Sequence, residues 1–147
     1  MGANFSGGGA TVFHDRTDTP GEITTSLINS TDGAGLHFDG TSGNIDIATP
    51  PDLGTKFSFE FVIQADAWVT STSIHLVDFG SSGRFIFGGS SANSGNLSVY
   101  SGGWDSFDVN PLSDLKVHHI VVTISDTAAI LYDNGNEIAT ATLPSSP

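Results

Sequence analysis

Phe57-Ser58-Phe59-Glu60-Phe61-Val62-Ile63-Gln64 is the stretch that decides the fold. Three phenylalanines and Ile63 occupy every second position, with Ser58 and Glu60 between them and Gln64 following. Successive side chains of a strand point to opposite faces, so this alternation predicts a half-buried strand with its aromatic face inward. His118-His119-Ile120-Val121-Val122-Thr123-Ile124 repeats the pattern, with Ile120, Val122 and Ile124 inward. It is followed by Ala129-Ile130-Leu131-Tyr132, then Asp133-Asn134-Gly135-Asn136, then Glu137 to Leu143. Two β-prone runs around Asn-Gly predict a hairpin, because both turn residues tolerate positive φ.

Weaker strands are expected at Gly21–Leu27, Leu36–Phe38, Asn44–Ile47, Ile74–Phe79, Arg84–Phe87, Asn96–Tyr100 and Trp104–Val109, separated by polar and glycine-rich turns. Pro50-Pro51 punctuates the chain before the Phe-rich strand, since neither residue can donate to a ladder. No segment carries a helical period. Roughly ten short strands with turn signals at short intervals predict an all-β sandwich or barrel. Residues 1–20 read as a glycine-containing lead-in and 21–147 as one domain.

Composition narrows the function. The chain has 147 residues and a formal net charge of −12, from 16 Asp+Glu against 4 Lys+Arg. Lys56, Lys116, Arg16 and Arg84 are scattered singly, whereas phosphate binding needs clustered cations. Nucleic acid and anionic membrane surfaces are therefore not expected partners. With Cys 0, disulfides, thiolate metal sites and a cysteine nucleophile are excluded. The N-terminal residues lack the basic and apolar regions of a secretory signal, and no apolar run is long enough to span a bilayer.

The ordered set of strands resembles the laminin G-like, concanavalin A-like jelly rolls. Leu36-His37-Phe38-Asp39-Gly40 with Asn44-Ile45-Asp46-Ile47 is similar to that family's opening motif. Phe57-Ser58-Phe59-Glu60-Phe61-Val62 is similar to its "F-T-I-E-A-W" strand. Val117-His118-His119-Ile120-Val121-Val122-Thr123 resembles "W-H-H-V-A-V-T", with Val117 in the place of the usual Trp. Leu131-Tyr132-Asp133-Asn134-Gly135-Asn136-Glu137-Ile138-Ala139 resembles "L-Y-V-D-G-K-L-V-A". The resemblance implies an all-β, antiparallel two-sheet jelly-roll sandwich, with ligands on a concave face or loop rim. Phe57, Phe59, Phe61, Ile120, Val122, Ile124 and Leu131 would fill the space between the sheets. Family members continue into further closing strands where this chain has Ser145-Ser146-Pro147. The sandwich is thus expected either to be a fragment or to take its closing strand from a neighbouring chain.

Candidate chemistry is limited. Retaining glucanases of related fold carry E-x-D-x-E on one strand, which sets two carboxylates about 5–5.5 Å apart. The nearest counterpart, Asn44-Ile45-Asp46-Ile47-Ala48, keeps only Asp46, so that chemistry is not expected. His118 and His119 are strand neighbours on opposite faces and cannot chelate one ion together. They read as strand-entry residues. His14, His37 and His75 are singletons, read as surface or sheet residues. Calcium is the cofactor the residue chemistry suits best, with candidate ligands Asp39, Asn44, Asp105, Asp108 and Asn110. None of these clusters follows the twelve-residue calcium loop, and an Asx turn is the preferred reading of each. Asp133–Asn136 reads as a hairpin turn only. Gly102-Gly103-Trp104-Asp105-Ser106-Phe107-Asp108 is the best glycan platform, with Trp104, Asp105 and Asp108 joined by Tyr100, Asn93 and Asn96. The competing reading of Trp104 is cover over an open end of the sandwich. Trp68 reads as core or edge cover.

The expectation is a non-enzymatic interaction or adhesion module, virion-borne or extracellular. A tailed-phage structural or decoration protein contacting proteins or glycans is favoured over a carbohydrate-binding module of a secreted bacterial protein.

Overall fold

The computed structural model describes residues 11–14, 22–26, 38, 44–47, 53–68, 70, 74–78, 85–89 and 95–147. The chain divides into two compact units, Met1–Asp52 and Leu53–Pro147. In the first, β1 (Thr11–His14), β2 (Glu22–Ser26) and β3 (Asn44–Ile47) form a three-stranded antiparallel sheet in that order. Thr11 pairs with Thr25, and Ile23 with Ile47. β1 falls inside the stretch read as a lead-in on account of its glycines. Phe38 is exposed and outside any strand; Leu36 and His37 lie outside the described residues.

The second unit holds two four-stranded antiparallel sheets. One is built from β4 (Lys56–Gln64), β9 (Val117–Ser125), β10 (Ala128–Asp133) and β11 (Asn136–Thr142), in the order β11-β10-β9-β4. The other runs β5 (Ile74–Asp78), β6 (Phe85–Gly89), β7 (Leu97–Ser101) and β8 (Trp104–Ser106). A 3-10 helix, Pro111–Asp114, leads into β9.

Alternation in the sequence becomes alternation in burial. Along β4 the positions from Lys56 to Gln64 are in turn exposed and half-buried, with Phe57, Phe59, Phe61 and Ile63 on the covered side. Register carries this face across the sheet. Phe59 pairs with Val122, Val122 with Leu131 and Leu131 with Ala139. The opposing sheet contributes Phe87, Leu97 and Val99, all fully buried. Phe61 of β4 stacks on Phe87 of β6 at 6.2 Å between ring centroids, and Phe87 meets Phe107 edge-on at 6.4 Å. Inward apolar faces of two sheets thus interlock as a sandwich. Each fully buried Leu, Val or Phe side chain contributes about 1.5–3 kcal/mol by leaving water.

Trp68 closes part of this core. Its indole N–H donates to the Gly95 carbonyl at 2.8 Å, which satisfies the one polar group of the ring. Two glycines make room for it. A Cβ on Gly89 would stand 2.8 Å from Trp68 Cζ2, and one on Gly95 (φ +80°) 2.9 Å from Trp68 Nε1.

The β10–β11 turn has Asn134 at φ 50° and Gly135 at φ 82°, as the Asn-Gly pair requires. β8 is shorter than the expected Trp104–Val109. The Asp108 backbone N–H donates to Ser106 Oγ at 3.0 Å and Asp108 takes φ 57°, which ends the strand.

Candidate ligand-binding face

The β7–β8 hairpin turns on Gly102, whose φ of +72° is a region open to glycine. The turn closes with the Ser101 N–H donating to the Gly103 carbonyl at 3.0 Å. This register sets Tyr100 directly opposite Trp104. Paired residues of adjacent strands share a face, and here that face is the outer one, because Leu97 and Val99 point into the core. The two rings meet edge to face, 5.2 Å apart with planes at 61°.

His75 joins them from the far strand of the sheet. It pairs with Gly88 of β6, which pairs with Ser98 of β7, which pairs with Ser106 of β8. Gly88 has no side chain and Ser98 a short one, so the rings at either end can approach over them. The His75 and Trp104 rings lie 6.3 Å apart, tilted by 40°. Gly88 and Ser98 are both buried despite facing outward. His75 Nδ1 is 3.4 Å from Asp78 Oδ2, which places a carboxylate on the same face. Two aromatic rings, an imidazole and a carboxylate therefore share one half-exposed surface. Such a surface offers ring faces for apolar C–H groups and polar atoms for hydroxyls.

Among the sequence candidates, the structure unites Tyr100 and Trp104 and gives Asp105, Asp108 and Asn110 other surroundings. The Asp105 carboxylate accepts the backbone N–H of Thr142 on β11. Asp108 is exposed in its turn. Asn110 donates from Nδ2 to the Gly95 carbonyl at 3.1 Å, while its own carbonyl accepts from Ser113 Oγ at 2.8 Å. Its Oδ1 is buried without a partner among the described residues. The Asn96 carbonyl accepts from Ser98 Oγ at 3.3 Å. Asn44 is described only through its backbone, at the start of β3, and Asn93 and Asp39 lie outside the described residues. Asp105, Asp108 and Asn110, grouped in sequence as calcium candidates, thus face three different environments. No group of three or more His, Cys, Asp or Glu side chains suited to a metal occurs among the described residues. His75 was missed because it stands alone in sequence. Only the sheet register brings it to Trp104.

His118 and His119 lie on opposite faces, as neighbours on a strand must. His119 Nε2 meets Glu60 Oε1 at 2.8 Å on the outer face. His118 is buried, with Nε2 2.8 Å from Asp114 Oδ1 and Nδ1 2.9 Å from Asp133 Oδ1. Its pKa is raised above 6.5 by hydrogen bonds to Asp114 and then Asp133, against the opposing effect of burial. Asp114 is held well below the ordinary carboxylate range, first by His118 and then by the Lys116 backbone N–H.

Residues 39–147 match a laminin G-type family model described as the concanavalin A-like lectin/glucanases superfamily. The chain belongs to the concanavalin A-like lectin/glucanase superfamily. No curated protein and no solved structure matched it. Within a concanavalin A-like domain the two sheets form a scaffold for binding or adhesion, and the superfamily name covers lectins and glucanases alike. No helix among the described residues is long and apolar enough to cross a membrane.

Proposed function

We propose that this concanavalin A-like chain is a non-catalytic adhesion module that binds a glycan on the outer face of the β5–β8 sheet. The observation carrying the reading is the Tyr100–Trp104 pair with His75 beside it, on a surface only half covered. Trp104 supplies a ring face for sugar C–H groups. His75, with Asp78 behind it, supplies hydrogen bonding that fixes ring orientation. Asp105, the carboxylate next in sequence to Trp104, is engaged by Thr142 and serves the scaffold rather than chemistry.

The setting we propose is the surface of a virion, with a tailed phage favoured over a secreted bacterial adhesin. It rests on the family resemblance together with the acidic, lysine-poor, cysteine-free composition. Calcium is kept only as a companion ion not held by Asp105, Asp108 and Asn110 together, since the fold separates those three, and a calcium titration followed by melting temperature tests it.

A polysaccharide array probed with the wild type and with Trp104→Ala and Trp104→Phe tests the platform. Trp104→Ala is expected to lose at least about tenfold in affinity, equivalent to about 1.4 kcal/mol, and Trp104→Phe less. Binding to a polysaccharide that Trp104→Ala leaves unchanged would sink the platform. No binding across the array would sink the glycan assignment.

A further inference from the structure

Among the histidines whose side chains are described, His118 alone has both ring nitrogens facing carboxylate oxygens. Nε2 lies 2.8 Å from Asp114 Oδ1, and Nδ1 lies 2.9 and 3.0 Å from the two oxygens of Asp133. A neutral imidazole carries one N–H and one lone pair, and an ionised carboxylate can only accept. In the neutral form, one ring nitrogen would therefore turn a lone pair towards an anion. Protonating Asp114 instead would sacrifice its other partners. Its Oδ1 accepts the Lys116 backbone N–H at 2.9 Å, and its Oδ2 lies 3.1 Å from Lys116 Nζ.

We infer that His118 is a buried imidazolium at neutral pH, a charged clasp that ties the 3-10 helix to the β10–β11 hairpin and lets go when its proton is lost. The three anchoring points come from different parts of the chain: Asp114 ends the 3-10 helix, His118 enters β9, and Asp133 ends β10 at the hairpin turn. The same end is stitched by the Asn134 N–H to the His119 carbonyl at 2.9 Å. Among the described residues the surrounding charges are few. Asp114 and Asp133 face His118 directly, and Lys116 acts through Asp114. The residue paired with His118 on β4 is Ile63, which does not titrate. His119 and Glu60 pair on the opposite face of the sheet.

Linkage gives the direction. A group whose pKa is raised on folding contributes stability that is fully present below its unfolded value, here 6.5, and lost as pH rises through the folded value. The clasp is therefore closed below pH 6.5 and opens as pH rises through the raised folded-state value.

The decisive experiment is long-range 1H–15N correlation of the imidazole nitrogens against pH, in the wild type and in Asp114→Asn. At pH 7.5, both His118 nitrogens are expected to show protonated shifts, and His118 is expected to titrate above the ordinary imidazole value of 6.5. Asp114→Asn should lower the proton affinity of His118 by at least about tenfold, one pKa unit. A wild-type His118 with one unprotonated nitrogen at pH 7.5, or titrating at or below the ordinary imidazole value of 6.5, overturns the inference. So does an Asp114→Asn variant with unchanged titration. Should that variant fail to fold, the wild-type titration alone decides. Hydrogen exchange at Asn134–Asn136, corrected for base catalysis, should accelerate through the same titration; protection that stays constant refutes the opening.

Discussion

Asp105 of β8 accepts the backbone N–H of Thr142 on β11, so one carboxylate joins edge strands of the two opposed sheets. A second bond joins the same region, with Ser145 Oγ donating to the Ser101 carbonyl at 2.8 Å. The Leu143 N–H, donating to the Thr127 carbonyl at 2.7 Å, extends the β10–β11 pairing. Edge strands carry unpaired backbone groups, and a side chain from the facing sheet is one way to occupy them. Asp105→Ala should lower unfolding free energy by about 1.5–3 kcal/mol, the usual worth of a hydrogen bond to a charged group. Asp105→Asn, which keeps an acceptor, should lose less. Denaturant midpoints of the three proteins check the order.

Trp68 depends on the space left by two glycines. Gly95 is at φ +80°, and a Cβ there would lie 2.9 Å from both Thr70 Cγ2 and Trp68 Nε1. Gly95→Ala should destabilise by more than about 1 kcal/mol through backbone strain and the clash together. Trp68 and Trp104 are the only tryptophans. In a Trp104→Phe background, fluorescence reports Trp68 alone, and Gly95→Ala should shift its emission to the red.

Phe87 is fully buried between Phe61 and Phe107. Phe87→Ala should cost about 3–5 kcal/mol, because lost transfer energy and an unfilled cavity add. Phe87→Leu should cost distinctly less. Calorimetry of both variants distinguishes loss of packing from general disruption.

Asn134 stands at φ 50°, and its Oδ1 accepts the His119 N–H at 3.2 Å. Asn134→Ala should destabilise by about 1 kcal/mol, since alanine enters this region with strain and brings no acceptor. Asn134→Gly removes the strain and loses only the side-chain bond, so its melting point should lie between those of wild type and Asn134→Ala.

Acid should weaken the fold through Asp114. Its pKa is depressed by His118 first and the Lys116 N–H second, so its contribution is present above its ordinary value of 3.8 and fades as pH falls below it. Urea midpoints measured from pH 5 down to pH 2 should fall less steeply for Asp114→Asn than for the wild type.

Elements with strong local signals were legible in advance. The Phe57–Gln64 alternation, the Ile120–Ile124 alternation and the Asn134-Gly135 turn are each written in consecutive residues. Period and turn chemistry act over that same short range. The 3-10 helix at Pro111–Asp114 was not legible, because four residues carry neither a period nor a cap pattern of their own, and β1 was not because the glycines before it made the segment read as a lead-in.

The candidate site divides the same way. Trp104 was visible as an aromatic beside glycines, and Tyr100 as its hairpin neighbour. His75 became part of the face only through the pairing His75–Gly88–Ser98–Ser106 across four strands. Asp105 looked like a flanking ligand and is instead a strap between sheets. Asp114, His118 and Asp133 offered no metal or catalytic spacing, yet the fold gathers them into one hydrogen-bonded set.

By itself, then, the sequence determined the all-β class, the inward aromatic face, the hairpin turn and the exclusion of cysteine chemistry. These follow from local geometry and composition. The tertiary structure alone decided which polar groups meet. Side-chain partnership depends on strand order and register between segments far apart in the chain, and no local pattern records either.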